Sequence, residues 1–165
     1  MSAQGPTDPN TNESQLNNWP DLAGCLQGDS HILPLRVYYE DTDFSGLVYH
    51  ASYIRWCERG RTDFVRLIGL NQKELFDGAD GATRCFFVVR HMDIDYLKPA
   101  MMDDVLEVVT KVAEQNTASL KIAQEIRRDG TVLFRAMVMI VLINERGRPV
   151  RLTEAIKDAF LKSEA

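Results

Sequence analysis

Residues able to carry acid–base chemistry crowd one stretch of this 165-residue chain, Val37 to Thr62, VYYEDTDFSGLVYHASYIRWCERGRT. An acidic turn, Glu40-Asp41-Thr42-Asp43, is followed by a Ser45-Gly46 link, by His50, and then by Glu58 and Arg61. From His50 onward the spacing becomes helical, so the acids stand just ahead of a helix N-terminus. The first N–H groups of a helix have no partner inside it, and they favour developing negative charge. A carboxylate in that position can serve as a nucleophile or as a general base beside donors for an oxyanion. Each residue also has a plainer reading. An Asp before a helix is commonly a turn or cap residue, and a lone His is commonly a first-turn surface residue.

The elements around this stretch are expected as follows. A strand covers about Leu33 to Glu40. The helix runs from about His50 to Ile68, with Tyr53, Trp56, Cys57, Gly60, Phe64, Leu67 and Ile68 on one stripe and Arg55, Glu58, Arg59, Thr62 and Arg66 opposite. Gly69 is suited to end it. Gly60, on the apolar stripe, would let the helix approach a sheet closely. A short helical turn at Asn71 to Phe76 and a loop from Asp77 to Gly81 follow. Strands are expected at Arg84 to Tyr96, Val105 to Val112, around Leu120 to Ile126, and Thr131 to Ile143, with Asp129-Gly130 as a hairpin turn. The last strand is apolar on both faces through its second half, which implies a helix on one side and a partner subunit on the other. A closing helix starts at Thr153. One long helix followed by antiparallel strands is an α+β plan.

The run Tyr39, Asp41, Asp43, Gly46, Val48, His50, Tyr53, Glu58 and Arg61 resembles the hotdog-fold 4-hydroxybenzoyl-CoA thioesterase family. So do Phe87-Val88-Val89-Arg90 and Tyr96-Leu97-Lys98-Pro99-Ala100 with Asp103-Asp104. The wording is most similar to the acyl-CoA thioesterase branch associated with the Tol-Pal envelope system. The resemblance covers about residues 33 to 160 and implies a hotdog fold, an antiparallel sheet of about five strands wrapped around one central helix. It implies hydrolysis of an acyl-CoA thioester to a free acid and coenzyme A, with Asp43 as the catalytic carboxylate and the backbone N–H at His50 polarising the carbonyl. The free N–H groups at the helix start are expected around Val48 to His50, and the His50 side chain is expected to orient water or substrate. Asp43 attacks directly or deprotonates water; the sequence leaves both open.

Asp41 and Gly46 are read as loop supports. Tyr39 either orients substrate or closes the core. Glu58 and Arg61, three residues apart, suit a structural ion pair, although some hotdog thioesterases carry their acid on the central helix. Arg90 and Lys98, with Arg127 and Arg128, are candidates for the phosphates of coenzyme A. No metal or organic cofactor is implied. The family also implies dimers with a continuous sheet, paired into a homotetramer. Phe44-Ser45 departs from the smaller residues of relatives, and Phe44 is expected to narrow the acyl pocket. Two alternatives accompany this reading: a hotdog enoyl-CoA hydratase or dehydratase, and a partner protein for acyl carrier protein in envelope-lipid metabolism. The seven-residue separation of Asp43 and His50 is wider than the usual hydratase pairing.

Composition narrows the rest. Apolar residues make up 45% and charged residues 26%, with a net charge of −5. Residues 1 to 30 hold four acids and no Lys or Arg, which leaves 19 basic against 20 acidic residues in 31 to 165. A near-neutral domain without a basic stripe argues against nucleic-acid binding. The N-terminal 30 residues, rich in Asn, Ser, Pro, Gly and Gln, read as a disordered tail, and 31 to 165 as one domain. Cys25, Cys57 and Cys85 have no metal-ligand spacing and read as free thiols in a reducing compartment. Without an evident signal peptide or membrane-length apolar run, the expectation is a cytoplasmic protein with no membrane insertion.

Overall fold

The computed structural model describes residues 24–78 and 83–161. Its centre is helix α1, His50–Leu67. Tyr53, Trp56, Cys57, Gly60 and Phe64 recur at three- and four-residue spacing and are all buried. Arg61 and Asp63 are buried beside them, which the apolar stripe did not show. Both charges have close polar partners, as burial of an ion requires. Leu67, read as part of the stripe, is 37% exposed in the last turn. The helix closes on Gly69 (φ +85°), whose N–H donates to the Arg66 carbonyl while that of Leu70 reaches the Val65 carbonyl.

Around α1 curls a single antiparallel sheet. Its strands are β1 (Cys25–Gln27), β2 (Ser30–Arg36), β3 (Cys85–Tyr96), β4 (Val105–Gln115), β5 (Ser119–Arg128) and β6 (Thr131–Asn144). Their spatial order is β1-β2-β4-β5-β6-β3. The meander β4-β5-β6 supplies the floor of the core through Leu106, Val108, Leu120, Ile122, Ile126, Phe134 and Val138. Asp129 and Gly130 both have positive φ, as a two-residue hairpin turn demands. β3 crosses to the far edge and, among the described residues, pairs with β6 alone. Along β6, Val138, Ile140 and Leu142 point into the core, while Met137 on the outer face is 38% exposed.

Two short helices complete the chain. α2 (Gln72–Asp77) is capped by the Asn71 side chain, which accepts from the N–H groups of Lys73 and Glu74. α3 (Glu154–Leu161) starts behind Thr153, whose hydroxyl accepts the Ile156 N–H, and inserts Ile156 and Phe160 into the core.

Two expectations change. The sheet has six strands rather than about five, because residues 25–27, within the stretch read as a tail, pair with residues 30–32. Residues 1–23, which hold the rest of that stretch, lie outside the described residues, as does most of the loop expected after Asp77. The strand expected to reach Glu40 ends at Arg36. There the backbone of Val37 bonds to Asp103 and Asp104, and the Asp41 carboxylate takes the Tyr38 N–H at 2.9 Å, turning the chain into a 3-10 segment at Tyr39–Asp41.

Gly60 marks where helix and sheet meet. A Cβ there would lie 2.8 Å from Val108 Cγ1 and 3.0 Å from Thr110 Oγ1, both on β4. Gly60→Ala would gain about 1 kcal/mol of helix propensity. Overpacking costs about 1–3 kcal/mol, and neither neighbour is the far end of a flexible side chain. The variant is therefore expected to unfold at lower urea concentration than wild type, with a net loss of about 1 kcal/mol.

Candidate active site

Between the 3-10 turn and α1 the chain makes a small hairpin. Thr42 bridges Val48, the Asp43 N–H donates to the Leu47 carbonyl at 3.0 Å, and the Gly46 N–H donates to the Asp43 carbonyl at 3.0 Å. Gly46 occupies the left-handed region (φ +78°), which completes a three-residue loop over Phe44, Ser45 and Gly46. The hairpin is tied to the segment after β3 by a Leu47–Met101 bridge and a bond from the Val48 N–H to the Ala100 carbonyl.

Asp43 stands at the start of this loop, in solvent. Its Oδ1 accepts the Ser45 N–H at 2.8 Å and the Ser45 hydroxyl. Its Oδ2 has no hydrogen bond among the described residues. The Ser45 hydroxyl and then the Ser45 N–H hold the carboxyl below its ordinary range against the opposing effect of desolvation, and electrostatic attraction to His50 adds least. The turn reading of Asp43 and the chemical one are thus compatible, since one oxygen makes the turn and the other is open.

The donors are more narrowly placed than expected. Val48 and Tyr49 both spend their N–H groups, on the carbonyls of Ala100 and Asp41. Ser52 returns its own to Tyr49. Among the described residues, His50 and Ala51 are left as the unbonded N–H groups of the helix start. Beside them opens a cavity of about 330 Å³ whose lining includes Leu47, His50, Tyr96, Lys98 and Pro99. The Tyr96 hydroxyl donates to the His50 carbonyl at 3.0 Å, fixing the first turn of α1 to the end of β3. Tyr49 and His50 rings pack at 4.4 Å. Two larger clefts, about 430 and 400 Å³, adjoin at Thr62 and Arg66 along the exposed side of α1. Neither is lined by Asp43, Gly46 or His50, and of these three only His50 lines the smaller cavity, with Asp43 and Gly46 in the adjoining loop, so size does not select the site.

The remaining candidates separate. Asp41 is buried and holds the turn through Tyr38 N–H, while its carbonyl accepts from Tyr49 N–H and, at 3.2 Å, from the Ser52 hydroxyl. Tyr39 is 81% exposed, which removes the core-closing alternative. Phe44 is fully exposed and is not among the residues lining the cavity, so within one chain it does not narrow it. Glu58 pairs with Arg61, and Arg61 also donates to Gln124 Oε1 at 2.8 Å. Gln124 in turn donates to the Cys57 carbonyl and to Thr110 Oγ1, each at 2.9 Å. That network fastens the helix to β4 and β5. Lys98 lines the cavity, and Arg90 is the unpaired bulge residue between Val89 and His91 on β3, at the sheet edge. Arg127 and Arg128 are engaged with Glu125 and Asp104.

Sequence reasoning gave no role to Ser45 or to Tyr96. An Asp followed two residues later by Ser is an Asx-turn signal that would have pointed to the first. Nothing local in the sequence links Tyr96 to His50. Among the described residues, no three His, Cys, Asp or Glu side chains are grouped to hold a metal ion. Nor is any helix among them long and apolar enough to cross a membrane.

The chain matches the Thioesterase-like superfamily over residues 37–160. It is 40% identical over 129 residues to the acyl-CoA thioester hydrolase YbgC of Escherichia coli, spanning 77% of this chain and 92% of that one. A probable thioesterase from Bartonella henselae superposes with a TM-score of 0.71 at 44% identity, covering 75% of this chain and 99% of the other. A thioesterase from Thermus thermophilus, solved with coenzyme A and zinc, does so with a TM-score of 0.69 at 25% identity, covering 81% and 92%.

Proposed function

This chain belongs to the thioesterase-like superfamily, with the hotdog fold, and from that membership we propose that it is an acyl-CoA thioesterase with Asp43 as its catalytic carboxylate. One observation carries the assignment of the site. A hairpin presents a carboxylate with one free oxygen at one end, and leads at the other into the unbonded N–H groups of His50 and Ala51. The His50 N–H stabilises the oxygen of the thioester carbonyl as it gains charge. Asp43 Oδ2 either attacks that carbon, giving a mixed anhydride that water cleaves, or removes a proton from the attacking water. In both routes the C–S bond breaks, the thiolate leaves and is protonated, and the products are a carboxylic acid and free coenzyme A.

Lys98 in the cavity and Arg90 on the exposed edge are the cations offered to the phosphates of coenzyme A. Asp41 and Gly46 shape the loop, and the Glu58–Arg61 pair supports the helix. Tyr39, exposed near the loop, orients substrate. The bare edge of β3 and the exposed Phe44, Tyr38, Tyr39, Met101 and Met102 support coverage by a second copy, in a dimer that pairs again into a homotetramer. The setting is the cytoplasm, in envelope-lipid metabolism linked to the Tol-Pal system, with acyl carrier protein as an alternative carrier or partner.

The test is release of free thiol from acetyl- through palmitoyl-CoA and benzoyl-CoA, with hydration of crotonyl-CoA in parallel. Hydrolysis of some members without hydration is the expected result. Hydration without hydrolysis would establish the hydratase alternative instead. His50→Ala is expected to lower kcat only about tenfold, because the donor is a backbone N–H that survives the substitution. A hundredfold loss would move the role to the imidazole.

A further inference from the structure

We propose that Ser45 is a positioning residue for this reaction, holding Asp43 Oδ1 through its hydroxyl and its backbone N–H so that Oδ2 alone is presented to the substrate. The inference rests on the reading of Asp43 as the catalytic carboxylate. Asp43 is exposed in a hairpin loop, where a free side chain would sample several rotamers and offer either oxygen. Two donors on one oxygen remove that freedom. The hydroxyl is itself oriented, since Ser45 Oγ accepts the Leu47 N–H at 3.3 Å and so directs its own hydrogen to the carboxylate. The three-residue loop, closed by Gly46 through its N–H bond to the Asp43 carbonyl, folds Ser45 back against the acid it holds.

The clamp has an electrostatic consequence as well. Donors to Oδ1 favour the ionised acid, so Asp43 stays a carboxylate to lower pH than an ordinary Asp. The titratable and charged groups on the surrounding elements are Tyr39, Glu40 and Asp41 before the loop, Tyr49 and His50 at the start of α1, Lys98 and Asp103 after β3, and the Asp104–Arg128 pair behind Met101. Of these, only the charge of His50 adds to the lowering, and it ranks behind both Ser45 bonds. Orientation and ionisation are therefore separable. Near neutral pH Asp43 is ionised with or without Ser45, so a change in kcat there reports orientation, and a shift in the acid limb reports the lost donor.

The experiment compares wild type, Ser45→Ala, Ser45→Thr and Asp43→Asn on whichever acyl-CoA the wild type hydrolyses, over the full acid limb of kcat/KM. It adds a titration of the Asp43 carboxyl carbon by NMR, which needs no turnover. Ser45→Ala is expected to lower kcat about tenfold at neutral pH with KM within about twofold, as expected for misplacement rather than lost binding. Its acid limb and its NMR midpoint both move up toward the ordinary Asp value, and Ser45→Thr restores both. A Ser45→Ala enzyme with wild-type kcat and an unmoved limb overturns the inference while leaving the proposed function standing, provided Asp43→Asn is inactive. An active Asp43→Asn overturns the reading of Asp43, and the role of Ser45 falls with it.

Discussion

Asp43→Asn is expected to lower kcat at least about a hundredfold on every acyl-CoA the wild type hydrolyses, or about 2.7 kcal/mol of barrier. The substitution keeps the shape of the side chain and an oxygen able to accept both Ser45 bonds, so the loop is retained. It replaces the free oxygen with an amide nitrogen, which neither attacks a carbonyl nor accepts a proton from water. Asp43 is outside the core, so thermal stability is expected to stay within about 0.5 kcal/mol of wild type, the usual range for a surface substitution. KM is expected to change little, because the site proposed for coenzyme A lies at Lys98 and Arg90 rather than at the loop. Thiol release with saturating acyl-CoA, alongside urea melts, measures both quantities. Full activity in the variant would mean the wrong carboxylate was chosen, with Glu58 next in line.

The largest expected stability effect lies at the opposite end of α1. Asp63 is buried there and accepts from the Gly24 N–H at 2.7 Å, faces His31 Nε2 at 2.7 Å, and pairs with Arg66. His31 is itself fully buried, and its Nδ1 has no partner among the described residues. Asp63→Ala would strand His31 and the Gly24 N–H together, and breaking a buried pair from one side costs about 3–5 kcal/mol. The measurement is the urea midpoint, with loss of protection at the β1 amides as a local readout. The same site carries a pH signature. Burial pushes the Asp63 carboxyl up, but the Gly24 N–H, Arg66 and His31 outweigh it and hold the group below its ordinary value. With the folded value below the unfolded one, the stabilisation is present above the ordinary Asp range, near pH 4, and is lost as pH falls through it. Asp63→Ala is expected to lose this share of the acid dependence, so its stability falls less steeply than that of wild type as pH drops through that range.

The contrast between these two positions shows what the chain disclosed in advance. Helix α1 was legible because Tyr53, Trp56, Gly60 and Phe64 repeat with helical period, and the meander because Asp129-Gly130 separates an alternating run from a largely apolar one. The acid, the loop glycine and the helix start were legible together because they are local in sequence. Asp63 and Arg61 were not, since a charged residue on a helix reads as solvated until its distant partner, His31 or Gln124, is known. β1 was missed for a similar reason. Three residues of mixed polarity form a strand only because β2 and the Asp63 carboxylate are there to receive them. The N–H groups of Val48 and Tyr49 were misjudged because their acceptors, Ala100 and Asp41, depend on tertiary placement. Tyr96 reaches His50 across 46 residues, a link without any local signal.

The position of β3 bears on how this chain is made. Cys85–Tyr96 is finished 48 residues before the end of β6, the one strand it pairs with in the fold. At a synthesis rate of about 5–20 residues per second, that is a wait of roughly 2–10 s. Through that interval a strand beginning Cys-Phe-Phe-Val-Val leaves the ribosome with its hydrogen-bonding groups unanswered, and α1 emerges with only β1 and β2 to shelter it. Vectorial synthesis thus leaves the Phe86-Phe87-Val88 run exposed until the C-terminal third of the chain arrives and β6 folds against it.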